Sequence, residues 1–248
     1  MKILREIFGR IWALYAMVWF IITMLIFFVP FLLFSYFQKD PLRTYRFIKY
    51  SRVWMSVYLF LTGCPLTVKG RGNFAKGENY IVVCNHNSFM DVPIATPFIP
   101  GGNKTIAKIE MAKIPLFGLV YKTGSVLVDR KSDASRKESF GKMKQVLAMG
   151  LHMCIYPEGT RNKTNEPLKA FHSGAFRLAA DTGKAIIPAV IFNTKKVLPP
   201  GKIFYAMPHR LAIHFLPAMP LQKNESAESL RDRVHEVMKD YYVSIISK

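Results

Sequence analysis

Apolar runs of two lengths alternate with polar stretches along this chain, and each length predicts a different kind of structure. The first run is long. From 11 to 37, 27 consecutive residues carry no charge. As a helix that length covers about 40 Å, more than the roughly 30 Å of a bilayer's hydrocarbon core. Apolar residues occupy every face of such a helix, unlike the single stripe of a helix packed in a soluble core. Pro30 is placed to kink or break it. A second uncharged stretch covers 53–68, but Gly63 and Pro65 interrupt it. Only about ten of its residues read as helix, too few to span.

Past this point the pattern changes. Gly70, Gly72 and Gly77 punctuate a polar stretch and mark a boundary. Short apolar runs then predict strands at 80–84, 125–128, 153–156, 185–192, 203–206 and 211–216. Between them, Phe140, Met143 and Leu147 recur at helical spacing, predicting a helix over 133–149 that Ser132 or Asp133 can cap. Further helices are predicted over 170–182, ended by Gly183, and over 226–246, with Leu230, Val234, Val237, Tyr241 and Ile245 along one face. Strands alternating with helices predict an α/β layered domain with a central, mostly parallel or mixed sheet. The expected division is an N-terminal helical hairpin or anchor over 1–65 and an α/β domain over 66–248.

Charge changes the reading of the first segment. The chain has 35 Lys and Arg against 16 Asp and Glu, a formal net charge of +19. That excess favours an anionic partner: a membrane surface, acidic small molecules or nucleic acid. Lys2, Arg5 and Arg10 precede the long apolar run, and Lys39, Arg43, Arg46, Lys49 and Arg52 follow it. Cations on both flanks give no orientation by the positive-inside rule. They fit a hairpin dipping into one leaflet from the cytoplasmic side, each cation worth about 1 kcal/mol near anionic headgroups. A single true span with a cytoplasmic body is the alternative. The basic residues bracket an apolar anchor and no nucleic-acid-binding motif is present, so nucleic acid is set aside. Cys64, Cys84 and Cys154 are too few and too scattered for a disulfide framework, and read as buried, reduced thiols.

The chemistry gathers where strands end. The run 80–84 leads into Asn85-His86-Asn87-Ser88-Phe89-Met90-Asp91. His86 can act as a general base, and Asp91 can fix its tautomer and stabilise the imidazolium. The turn between them also has backbone N–H groups that could face an anion. A structural His–Asp hydrogen bond is the ordinary alternative, and no second ligand completes a metal set. The run at 153–156 leads into Tyr156-Pro157-Glu158-Gly159-Thr160-Arg161. There Glu158 can bind a polyol or hold Arg161, and Arg161 is a natural bidentate phosphate ligand. Gly124 to Arg130 ends on Asp129-Arg130, a further phosphate candidate, and Thr105-Ile106-Ala107-Lys108 presents Lys108. Cys84 is two residues from His86, a slight argument for a thiol nucleophile.

In this order, the blocks at 85–91, 124–130 and 156–161, with Ile187-Pro188-Ala189-Val190, resemble the glycerolipid acyltransferase superfamily, specifically the bacterial lysophosphatidic acid acyltransferases. The resemblance covers 79–190. It implies a glycerol-3-phosphate-acyltransferase-like α/β fold and direct acyl transfer. His86 would deprotonate the sn-2 hydroxyl of a lysophospholipid, which attacks an acyl-CoA or acyl-carrier-protein thioester, giving phosphatidic acid. Asp91 would orient His86. Glu158, Gly159, Thr160 and Arg161 would organise the acceptor, with Arg161, Lys108 and Arg130 meeting its phosphate. No cofactor or metal is implied, and the implied location is the cytoplasmic face of a bacterial inner membrane, among anionic lipids. Tyr156 stands where the family often has Phe, and Asn87 and Met90 fill variable positions. Relatives of this fold also acylate lyso-ornithine and lyso-glycine lipids, so a lyso-aminolipid acceptor is the alternative. A basic peripheral membrane-binding module is the non-enzymatic one.

Overall fold

The structure, a computed structural model, describes residues 2–129 and 131–247. Helices α1 (Lys2–Phe31) and α2 (Leu42–Leu61) form a hairpin. Strands β1 (Leu66–Lys69) and β2 (Ile81–Cys84) and helix α3 (Asp91–Ala95) follow. Next come β3 (Asn103–Lys108), α4 (Phe117–Thr123), β4 (Ser125–Val128), α5 (Asp133–Ala148) and β5 (His152–Ile155). The chain closes with α6 (Gly174–Thr182), β6 (Ile186–Phe192), α7 (Thr194–Val197), β7 (Leu211–Phe215) and α8 (Ala227–Ile246). The strands make one sheet in the order β1-β7-β6-β2-β5-β3-β4. From β6 to β4 the pairings are parallel, whereas β7 runs antiparallel to β6 and parallel to β1.

Alternation along β2 shows how the layers assemble. Val82 and Cys84 face α1, α2 and α3, in a core with Trp54, Tyr58, Leu59 and Ile94. Ile81 and Val83 face the opposite way, onto α5, α6 and α8 through Leu147, Phe176, Leu178, Leu230 and Val234. Both faces of β2 are buried, as expected of a central strand in a largely parallel sheet. Ser132 and Ser226 cap α5 and α8, each accepting the N–H three residues on. The buried stripe of α8 is Leu230, Val234 and Met238; Val237 is exposed.

The hairpin is a layer of this fold as well as an apolar surface. Gly9, Ala13, Ala16, Thr23 and Phe31 of α1 are buried, and the small residues among them let the helix lie close on the body. Thr23 Oγ1 accepts the Trp54 indole N–H at 2.9 Å. The other faces of α1 are open: Ile3, Leu4, Ile11, Val18 and Ile26 are exposed. Pro30 does not break the segment. The helix passes into a π-helical turn at Leu32–Tyr36, a local widening that helices use around an interrupted hydrogen-bond ladder. The second helix is longer than its uncharged stretch predicted, because it begins in the basic residues Arg43, Arg46, Lys49 and Arg52. Arg52 extends from it to the carbonyls of Pro97 and Ile99. Asp40, before α2, pairs with Lys104 of β3 at 2.8 Å and accepts from Arg43 and Thr44, tying hairpin to sheet. Burial would raise its pKa, but these partners prevail and hold it well below the ordinary aspartate range.

One expected strand is absent and two strands were missed. The apolar residues at 203–206 form no strand; Ile203 and Phe204 face outward. Strands β1 and β3 were not anticipated.

His152 begins β5 and bridges backbone groups as a neutral imidazole: its Nδ1 accepts the Tyr80 N–H at 3.0 Å, and the ring also bonds the Pro100 carbonyl. Burial lowers its pKa from 6.5 to about 4, against the opposing pull of that carbonyl. A histidine with a lowered folded pKa favours folding above its unfolded pKa, and that contribution fades as pH falls. We therefore expect stability to drop between pH 6.5 and 4 with a slope of up to about 1.4 kcal/mol per pH unit. Thermal melts of the wild type and His152→Gln check this; the slope in that window flattens in the variant.

Candidate active site

Five parallel strands put their carboxyl ends on one edge of the sheet, the edge where open α/β sheets bind ligands. β2 and β5 lie side by side there. Each feeds one polar turn: 85–91 after β2, and 156–162 after β5.

The first turn is built around one carboxylate oxygen. Asp91 is fully buried, and its Oδ2 accepts the backbone N–H groups of Asn87 at 2.5 Å and Ser88 at 2.7 Å. The same oxygen lies 2.8 Å from His86 Nδ1. An oxygen already accepting two N–H groups can only be met by a third donor, so Nδ1 carries the proton and Nε2 presents its lone pair. The His86 side chain is 20% exposed, and no described residue partners Nε2. Its ring packs against Tyr156, centroid to centroid 4.7 Å. The N–H groups of Asn87 and Ser88 are thus spent on Asp91, and that of Met90 on the Ser88 hydroxyl, so these three do not face an anion as the sequence suggested. Helix α3 begins only at Asp91.

The second turn clamps the first. Glu158, only 2% exposed, accepts the His86 N–H through Oε1 at 2.7 Å and the Lys169 N–H through Oε2 at 3.1 Å. Burial raises its pKa above the ordinary glutamate range, although both N–H groups and the nearby His86 and Lys169 side chains oppose this. In return, His86 C=O accepts the Asn162 N–H at 2.6 Å. The structure therefore places Glu158 in a loop-to-loop tie, with both oxygens on backbone N–H groups. It does not hold Arg161. The Arg161 guanidinium instead stacks on Phe89 of the first turn, 3.7 Å from the ring centroid, which leaves its N–H edge available to an anion. Gly159 has φ +68° and sits against His172, so a side chain there would be both strained and crowded. Thr160 Oγ1 accepts from Lys169 Nζ at 2.7 Å.

Lys108, at the end of β3, is two strands from β2, roughly 10 Å by strand spacing. It is 57% exposed and pairs with Glu110 at 3.1 Å. Arg130 lies outside the described residues. Cys84 points away from His86's open side: it is fully buried, 3.8 Å from Cys154 Sγ. The hydrogen bond from Cys154 and burial push its thiol well above the ordinary range, so it is no nucleophile.

Four contributors escaped the sequence reading. Asn85 bonds both backbone groups of Ile191, at 2.7 and 3.0 Å, locking the end of β2 to β6. Ser88 Oγ donates to the Leu198 carbonyl at 2.8 Å. Asn162, fully buried, organises the second turn through Thr164 and Glu166. Lys195 of α7 donates to the Thr164 carbonyl at 2.9 Å. Burial lowers its pKa despite the nearby Glu158 and Asp91 carboxylates. A polar residue directly abutting a buried apolar run was the available signal for Asn85.

Comparison with known proteins bears on this site. Residues 65–192, which include both turns, match the family described as Acyltransferase. The chain belongs to that family. Among curated acyltransferases, the 1-acyl-sn-glycerol-3-phosphate acyltransferase of Borreliella burgdorferi is 29% identical over 195 residues, 74% of this chain and 75% of the relative. The enzyme of the same name from Helicobacter pylori is 32% identical over 148 residues, covering 59% and 61%. That from Cocos nucifera is 33% identical over 147 residues, where the match spans about half of the relative, 47%. The crystal structure of the 1-acyl-sn-glycerophosphate (LPA) acyltransferase PlsC from Thermotoga maritima shares the fold, with a TM-score of 0.81 over 98% of both chains at 24% identity.

The Glu158 tie makes a testable demand. An amide at 158 keeps the shape but turns one acceptor into a donor facing a backbone N–H. Acyltransferase activity of Glu158→Gln should fall at least tenfold while its circular dichroism spectrum stays native, because His86 loses its anchored backbone.

Proposed function

We propose that this acyltransferase moves an acyl chain from a soluble thioester, acyl-CoA or acyl-carrier protein, to the sn-2 hydroxyl of 1-acyl-glycerol-3-phosphate, giving phosphatidic acid. The observation that carries the reading is the His86–Asp91 pair, with Nδ1 tied down and Nε2 open. His86 Nε2 takes the hydroxyl proton as the oxygen attacks the thioester carbonyl; the new C–O bond forms, the C–S bond breaks, and the proton passes to the leaving sulfur. Asp91 holds the ring and stabilises the imidazolium. No acyl-enzyme is needed, in keeping with the inert Cys84. Arg161, with Lys108 further along the same edge, meets the acceptor's phosphate, and Arg130 is a further candidate by sequence. Names of the relatives support this acceptor.

The location follows from the first helix. Within the helical segment Lys2–Tyr36, the most apolar 18-residue stretch has a mean hydropathy of 2.7 and is only 11% buried. Yet α1 meets residues outside the hairpin at both ends of its buried stretch, Gly9 against Tyr205 and Phe31 in a cluster with Leu119 and Val120, about 33 Å apart along the helix. A helix that crossed the bilayer would draw that body into the hydrocarbon. The hairpin therefore lies in one leaflet, on the cytoplasmic side, with its basic flanks among anionic headgroups. The acceptor lives in that leaflet, and the water-soluble donor arrives from outside.

Protein reconstituted in phospholipid vesicles tests this with an acceptor panel read by lipid mass spectrometry. Lysophosphatidate should be acylated, with a strong preference over lyso-ornithine and lyso-glycine lipids; the reverse preference would overturn the assigned acceptor. His86→Ala should lose turnover by at least ~10³-fold. Asp91→Asn should keep the fold and lose about 10²–10⁴-fold in kcat. Turnover by His86→Ala close to wild type would remove the base from the mechanism.

A further inference from the structure

The loop between α7 and β7 carries an apolar tip that the fold does not use. Ile203 is 88% exposed and Phe204 45%. Phe204 also has φ +49°, a left-handed conformation costly for a bulky residue. The next two residues do the opposite: Tyr205 and Ala206 are buried and fasten the loop to α1. Ala206 N–H donates to the Gly9 carbonyl at 3.0 Å, Tyr205 fills the space that the missing side chain of Gly9 leaves, and Lys202 pairs with Glu6. The tip is thus held beside the first turns of α1, where Ile3, Leu4, Ile7 and Ile11 are exposed. Lys2, Arg5 and Arg10 of the same turns are exposed as well.

We propose that Ile203 and Phe204 form a second lipid-contacting element, entering the leaflet that receives α1. The inference rests on the reading of α1 as a membrane helix. Three observations favour a lipid surface over other occupants. The tip is rigidly continuous with that helix. The surrounding charge suits anionic headgroups. And two large apolar side chains face outward side by side, Phe204 from a left-handed backbone, a state that water alone would oppose.

The three native cysteines are at most 1% exposed, so an introduced cysteine can be labelled selectively. Full-length protein carrying Ile203→Cys, Ile11→Cys or Lys142→Cys, each labelled with an environment-sensitive fluorophore, is mixed with phosphatidylcholine–phosphatidylglycerol vesicles. A severalfold rise in emission, quenched by brominated lipid, is expected at 203 and 11 but not at 142 on α5. A response at 11 without one at 203 overturns the proposal and leaves the anchor standing. No response at either site overturns both. A response at 203 that grows with protein concentration in the absence of vesicles assigns the tip to a second copy of the chain and overturns the lipid assignment. In a second variant, Phe204→Asn, the side chain suits the left-handed backbone. Its melting temperature should equal or exceed wild type while the label at 203 responds less. A lower melting temperature with an unchanged response would make Phe204 a structural residue and remove it from the element.

Discussion

The first helix is apolar on every face but buries only one of them, and much of the molecule follows from how it does so. One face, through Gly9, Ala13, Ala16 and Thr23, is narrow enough to lie on the body. The remaining faces carry Ile, Leu, Val and Phe outward. The same hairpin supplies Trp54, Tyr58 and Leu59 to the core against which β2 is folded. Taking the hairpin away would uncover one whole face of the central strand. The long apolar segment is therefore also a structural part of the sheet's core, not a detachable appendage.

From that buried strand the site is assembled by backbone hydrogen bonds more than by contacts between side chains. Asp91 fixes the turn before it fixes the histidine, since two of its three bonds go to main-chain N–H groups. Glu158 and Asn162 then hold His86 from both of its peptide groups. Asp91 bonds within its own turn, whereas the buried Glu158 and Asn162 reach across to His86, remote in sequence. The cost of leaving any of them unpaired keeps the two turns in register.

What was legible in the sequence follows the same division. The strand before His86 showed itself because Ile81, Val82, Val83 and Cys84 are buried on both faces and read as one apolar run. β3 did not, because it opens with Asn103 and Lys104, buried only because Thr96 and Asp40 receive them. No local pattern reveals such partners. The opposite error arose at 203–206, where apolar residues imitate a strand but two of them face outward. His86 and Asp91 were readable as a pair from spacing and resemblance. The role of Glu158 was not, since a carboxylate in a turn looks the same whether it meets a ligand or a distant backbone N–H.

The thiols behind the site have a further consequence. Cys84 and Cys154 lie on adjacent strands, within two residues of His86 and Tyr156 respectively, yet neither has any exposed surface. A thiolate in reach of an acyl thioester would exchange with it and leave the protein itself acylated. Burial keeps Cys84 protonated and out of reach. Under the proposed chemistry, the sheet thereby protects the donor from a self-inflicted side reaction, and the acyl group has a single nucleophile to meet: the hydroxyl brought in by the lipid.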